Sequence, residues 1–280
     1  MSAKAAPGPI VLLLHGLRST PDELLTLNNA LKTSGIATHN LRIPGYSYAV
    51  QDEEPVAPAF ANWVQCVQTQ VMQLRQQHSH VILAGISAGA TLALGTALRL
   101  GTSLDGVVLL STTLWYDGWN TPFYRWLFPL ALYTPLGALW SYKEQPPYGV
   151  KNPRIREWIA KELKTRKISS AGAATIQTHY LREFDRLIRQ VKKTLSTGPC
   201  PAGLAIHARE DDVASLSNLE FLQKHWSSGH LEAVILENSY HMITLDNERQ
   251  RVAAEVIAFV KRVANVPPPS PAHTAESLSV

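Results

Sequence analysis

Three residue types that together can move an acyl group occur here in a chemically useful order: Ser87 in Gly85-Ile86-Ser87-Ala88-Gly89, then Glu210, Asp211 and Asp212, then His241 in Asn238-Ser239-Tyr240-His241-Met242. A serine hydroxyl is a weak nucleophile at neutral pH. It needs an imidazole to take its proton and a carboxylate to orient that imidazole and balance its charge. Ser87, His241 and one of the acids could supply these parts. Asp211 is the expected acid: three residues beyond Ala208 and two before the apolar Val213, it can turn inward while Val213 anchors the next segment. Asp212 is its main rival. Asp117 and Glu210 are further candidates, although solvated loop carboxylates are the plainer role for both.

Attack on an acyl carbon puts negative charge on the former carbonyl oxygen, and a preorganised backbone donor there is worth about 3 kcal/mol. Two amides suit that position. One is Ala88, next to the serine at the positive end of a helix; the other is Leu17 in His15-Gly16-Leu17, with His15 shaping the loop. A base of this kind works when neutral, so activity should rise through the ordinary imidazole pKa of about 6.5.

These side chains need elements to carry them. The apolar run Val81-Ile82-Leu83-Ala84 before Ser87 reads as a strand, and Thr91 to Leu100 as a helix. A sharp turn between the two strains the serine backbone and demands glycine wherever neighbouring segments close in. Pro9 to Leu14, Ile36 to Ile43, Gly106 to Ser111, Gly203 to His207 and Leu231 to Leu236 read as further strands. Thr20-Pro21-Asp22-Glu23 reads as a capping box, with Glu23 reaching back to Thr20, opening a helix that Gly35 ends. Phe60, Val64, Val67, Val71 and Leu74 mark one face of the next helix, and a last helix runs from about Asp246 to Val263. Alternating strands and helices predict a mostly parallel sheet of about six strands. The expected core covers 8–112 and 200–265. Residues 113–199 hold helical patterns without a convincing strand and read as a helical cap inserted before the strand that precedes the acid. The Pro-rich tail 266–280 is expected to be disordered.

Composition narrows the class. With 280 residues, 45% hydrophobic and 17% charged, the chain can bury a full core. A net charge of +4 is mild, and no basic run is interleaved with base-stacking aromatics, which argues against nucleic acid as a partner. Cys66 and Cys200 have neither metal-ligand spacing nor disulfide density. With no apolar run after Lys4 and none elsewhere long enough to span a bilayer, a cytoplasmic location is expected. The chemistry calls for no metal or cofactor, and patterning says nothing of oligomeric state.

Together, His15-Gly16-Leu17, Gly85-Ile86-Ser87-Ala88-Gly89, Ala208-Arg209-Glu210-Asp211 and the segment from Asn238 to Asp246 resemble the α/β-hydrolase superfamily, and within it bacterial carboxylesterases and monoacylglycerol lipases. The resemblance runs from about Ile10 to Val263. It implies Ser87, Asp211 and His241 as the triad and Leu17 and Ala88 as the oxyanion hole. Two departures stand out: the usual N-terminal antiparallel hairpin is missing, and Ala88 replaces a more common Met or Leu. A serine at the elbow, rather than a carboxylate, separates the chain from the dehalogenase and epoxide-hydrolase branches.

The expected activity is hydrolysis of apolar carboxylic esters or monoacylglycerols through an acyl-enzyme. A thioesterase or acyltransferase could use the same triad, and a hydrolase-fold protein could merely bind lipid or a partner. Ten aromatics lie between Trp115 and Tyr142. Trp115, Trp119 and Trp126 among them could line an acyl pocket or rest at a lipid surface, or simply form the core of the cap. From Lys151 to Lys193 there are twelve Lys or Arg against four Asp or Glu, a basic stretch able to attract anionic headgroups or an acidic acyl carrier.

Overall fold

In a computed structural model of the protein, residues 8–48, 57–135, 137, 140–166, 168–169, 171–227 and 229–265 are described. The tail 266–280 lies outside them. The first elements are β1 (Ile10–Leu14), a 3-10 turn (Pro21–Leu24), α1 (Leu25–Thr33), β2 (Ala37–Asn40), α2 (Phe60–Arg75), β3 (Val81–Ile86), α3 (Ala88–Leu100) and β4 (Gly106–Leu110). The inserted segment then supplies α4 (Phe128–Tyr133), β5 (Ser141–Lys143), α5 (Pro153–Arg166), β6 (Ile168–Ser169), β7 (Gly172–Ala173), β8 (Thr175–Gln177) and α6 (Thr178–Thr194). The chain returns to the sheet through β9 (Ala202–Ala208), α7 (Ser217–His225), β10 (Leu231–Leu236) and α8 (Arg249–Ala264).

Six strands form one sheet in the order β10-β9-β4-β3-β1-β2, and every neighbouring pair is parallel. Parallel strands need crossover connections, so helices cover both faces and the central strands are apolar on both. Along β1, Ile10, Leu12 and Leu14 enter one core, with Val64, Leu92 and Leu187. Val11 and Leu13 enter the other, with Leu27, Leu31, Val252 and Phe259. This is the α/β-hydrolase architecture. The loops at the carboxyl ends of β1, β3 and β9 carry the candidate chemistry, the crevice where ligands meet an open parallel sheet.

The insertion differs from its helical pattern in two ways. It also contains two short antiparallel ribbons, β5 with β8 and β6 with β7, whose two- and three-residue strands are too brief to leave an alternation signal. Its last helix, α6, buries Tyr180, Leu181, Phe184, Leu187, Ile188 and Val191 in the same core as α2 and α3. Its opposite face carries arginines and lysines. The capping box also resolves differently: Thr20 Oγ1 accepts from the Asp22 amide, while the Glu23 carboxylate turns inward to the Gly16 amide (2.6 Å). A buried, unpaired N–H in the loop after β1 outweighs a solvent-exposed cap as a partner for that acid.

Candidate active site

Ser87 sits between β3 and α3 with φ 55° and ψ −118°, a strained backbone that lifts its side chain out of the sheet. The turn closes only because both flanking positions are glycine: a Cβ at Gly85 would strike the Gly89 carbonyl, and one at Gly89 would strike the Leu14 and His15 carbonyls. The Ser87 amide donates to the Leu110 carbonyl (2.9 Å), fixing the elbow to β4.

His241 lies in the loop between β10 and α8, with Nε2 2.8 Å from Ser87 Oγ and Nδ1 2.8 and 3.0 Å from the two Asp211 oxygens. Asp211, after β9, is itself held by the amides of Val213 (2.9 Å) and Ala214 (2.8 Å). Burial raises its pKa, but the charge and hydrogen bond of His241, then His207 and the Ala214 amide, outweigh burial and hold it below the usual carboxylate range. Burial works to depress His241, and the negative charge of Asp211 overcomes it, joined by its hydrogen bond, Asp212 and Glu144; the imidazole therefore titrates above 6.5. That is a correction to the unshifted value read from residue type.

The structure brings Ser87, Asp211 and His241 together and leaves the other acids apart. Asp212 is buried and accepts the His241 backbone amide at 3.3 Å, so it supports the loop rather than the ring. Asp117 accepts from Ser215, Ser217 and Asn218 at the start of α7. Glu210 is exposed and paired with Lys151 at 2.5 Å.

The loop after β1 is braced from three sides. His15 Nε2 lies 2.8 Å from Ser47 Oγ, and Tyr46 Oη donates to the His15 carbonyl (2.9 Å). Burial, with a smaller contribution from Arg42, lowers the His15 pKa to about 4, so this imidazole is neutral. Glu23 holds the Gly16 amide, and its own carbonyl accepts from Thr244 Oγ1 (2.7 Å), which ties the loop to the histidine segment. Among the described residues, neither the Leu17 nor the Ala88 amide has an acceptor.

Four relatives of the site have no obvious sequence signal. Asp246, fully buried, accepts the amides of Tyr240, Lys151, Asn152 and Asn247 and so fastens the histidine loop to the segment ahead of α5. Asn218 accepts the Leu114 and Trp115 amides. Thr113 Oγ1 lies 3.4 Å from Ser87 Oγ. Glu144, half-buried in the insertion, has its pKa raised to about 8, first by burial and then by Asp212.

The cap tryptophans diverge. Trp115 packs edge-on to Phe221 beneath the Lys192 ammonium, which is 3.5 Å from the ring centre. Trp119 Nε1 donates to the Glu210 carbonyl, and its ring meets Tyr240, next to His241. Trp126 is 72% exposed.

The model of the serine aminopeptidase S33 family matches residues 5–248. The chain belongs to that family. It is a serine hydrolase of α/β-hydrolase fold, and fold and family match those of esterases and lipases. It is 28% identical over 261 residues to the thermostable monoacylglycerol lipase of Bacillus sp. (strain H-257), covering 93% of this chain and 94% of that protein. In fold it is similar to the monoacylglycerol lipase of Paleococcus ferrophilus (TM-score 0.73, 16% identity, 91% of this chain and 94% of that one). It is also similar to a soluble variant of the Saccharomyces cerevisiae monoglyceride lipase (TM-score 0.71, 14% identity, 95% and 89%).

Proposed function

We propose that this serine hydrolase cleaves apolar carboxylic esters, monoacylglycerols among them, with Ser87 as nucleophile, His241 as general base and acid, and Asp211 as the carboxylate that orients and balances the imidazole. The observation that carries this reading is the unbroken chain from Ser87 Oγ through the His241 ring to Asp211, each link at 2.8 Å. As Oγ attacks the ester carbonyl, its proton passes to Nε2, and the developing oxyanion meets the free amides of Leu17 and Ala88. The imidazolium then returns the proton to the departing alcohol. Water attacks the acyl-enzyme with His241 again as base, releasing the acid and restoring Ser87.

A monoacylglycerol substrate is supported by the 28% identity to the Bacillus enzyme along nearly the whole of both chains. Among the described residues, no helix is long and apolar enough to cross a membrane. Contact with a lipid surface would instead go through the insertion, whose Phe123, Tyr124, Trp126 and Leu130 are exposed. Cytoplasmic residence fits Cys66 and Cys200, neither of which is in a disulfide.

The test is hydrolysis of p-nitrophenyl esters from acetate to palmitate and of monoacylglycerols, with wild type beside Ser87→Ala. The expected outcome is ester cleavage that falls by about 10⁴-fold or more in the variant. Wild type that leaves every ester intact, or that cleaves an aminoacyl p-nitroanilide faster than the esters, overturns the reading.

A further inference from the structure

A guanidinium lies buried in the residue after Leu17, and among the described residues no carboxylate balances it. Arg18 is 3% exposed, and among the described residues no Asp or Glu stands within ion-pair distance of it. One terminal nitrogen donates to the Ser47 carbonyl (3.1 Å), and the Nε–H has no acceptor. The guanidinium carbon lies 4.4 Å from the centre of the Tyr180 ring, on α6, and 5.6 Å from that of Tyr48. Two cation–π contacts recover only part of what a charge loses on leaving water.

The backbone adds to that cost. Arg18 has φ 53°, in the left-handed region that a long side chain enters only under constraint, and its amide is held by the Tyr46 carbonyl (3.0 Å). A side chain that would ordinarily be solvated at the surface is therefore held inside on a strained backbone. A second unmet group stands nearby: His179 Nε2 is buried without a partner, and its ring lies 4.4 Å from that of Tyr180. Burial, then the charges of Arg18 and Arg182, depress the His179 pKa, so the ring is neutral at pH 7 and can present an N–H.

We propose that Arg18, flanked by His179, recognises an anionic group on the substrate, a carboxylate or phosphate a few bonds from the scissile carbonyl. The inference rests on the ester-hydrolase reading and adds, within that substrate class, a preference for apolar esters that also carry an anion. A planar guanidinium with a free Nε–H is shaped for two-pronged pairing with either oxyanion. Its location between the loop after β1 and α6 sets it one residue from the proposed oxyanion donor. The basic stretch from Lys151 to Lys193 would draw the same charge toward the cleft.

Two substrate pairs separate the sources of the anion. Mono-p-nitrophenyl glutarate against p-nitrophenyl valerate puts a carboxylate on the acyl side, and 1-butyrylglycerol 3-phosphate against 1-butyrylglycerol puts a phosphate on the alcohol side. In one pair, wild type should prefer the anionic member in kcat/KM, and Arg18→Met should lower that ratio by about ten- to a hundredfold, with Arg18→Lys between them. An unchanged ratio in Arg18→Met overturns the proposal. So does wild type that cleaves the neutral esters but prefers neither anion, a result that stands even if Arg18→Met does not fold. If wild type cleaves no ester at all, the ester reading fails, and calorimetric titration with glutarate and glycerol 3-phosphate still decides: no saturable binding of either overturns the anion site.

Discussion

The loops at the carboxyl edge of the sheet and the insertion above them are built on opposite terms. Around Ser87, Asp211 and His241, each reactive side chain is fixed by buried backbone donors and by strand ends: the Leu110 carbonyl for the elbow, the Val213 and Ala214 amides for the acid, Asp246 for the histidine loop. In the insertion, Phe123, Trp126 and Leu130 stand exposed on a 3-10 turn and a single short helix. The first region has one arrangement because the buried groups that position these three side chains are each met by a fixed partner. The second is anchored mainly where α6 joins the core. Chemistry should therefore reside in the loops and substrate preference in the insertion, and each half of that statement can be broken separately.

The largest effect is expected from the two adjacent aspartates. Asp211→Asn removes the charge that balances His241 and should lower kcat/KM by about a thousandfold or more. Asp212→Asn retains an oxygen for the His241 amide and should cost less than about tenfold. The pH profile gives a second readout. His241 is held above 6.5 against burial, first of all by Asp211, so wild-type kcat/KM should rise with pH through a midpoint above 6.5. In Asp211→Asn burial dominates and that midpoint should fall. Equal losses in the two variants would remove the distinction between the ring's partner and the loop's support.

A step smaller is Glu23, which binds the Gly16 amide from within the core. Burial, opposed by hydrogen bonds from Ser19 and Gly16, raises its pKa to about 7 from an ordinary 4.5. Folding therefore takes up a proton: the stability associated with this carboxyl is full below 4.5 and is lost as pH rises toward 7, on the order of 3 kcal/mol. Glu23→Gln keeps a neutral acceptor in place, so its Tm relative to wild type should be several degrees higher at pH 8 than at pH 4.5. A Tm difference independent of pH would show that the carboxyl is ionised without penalty and that the loop is less enclosed than the geometry requires.

How much of this was legible in sequence follows the same division. Ser87 and His241 could be read because a turn with two obligatory glycines and a loop between a strand and the last helix leave local marks. Asp211 could be ranked over Asp212 only by its phase relative to Val213, since neighbouring carboxylates differ in which way the chain turns. Glu23 was read as a cap because its spacing from Thr20 fits one; its partner, Gly16, depends on how the loop after β1 folds back. Arg18 and Asp246 leave no pattern, because burial of a charge is decided by elements distant in sequence. The ribbons β5–β8 and β6–β7 escaped for want of length.

The smallest expected effect lies in the exposed aromatics, and it tests the insertion's side of the contrast. Each ring that leaves water at a lipid surface gains in proportion to the apolar area covered, but the rings tilt and share that area, so about tenfold for two is a reasonable expectation. Phe123 and Trp126 carry no hydrogen bond among the described residues and are 90% and 72% exposed, so their replacement by serine should leave Tm within about 2 °C. The double variant Phe123→Ser, Trp126→Ser should lose about tenfold more activity on monoolein in vesicles than on dissolved p-nitrophenyl butyrate. Equal losses on both would move these side chains from the lipid surface into the acyl pocket. A loss of Tm instead would make them part of the insertion's own packing, and the contrast with the sheet-edge loops would then be one of degree.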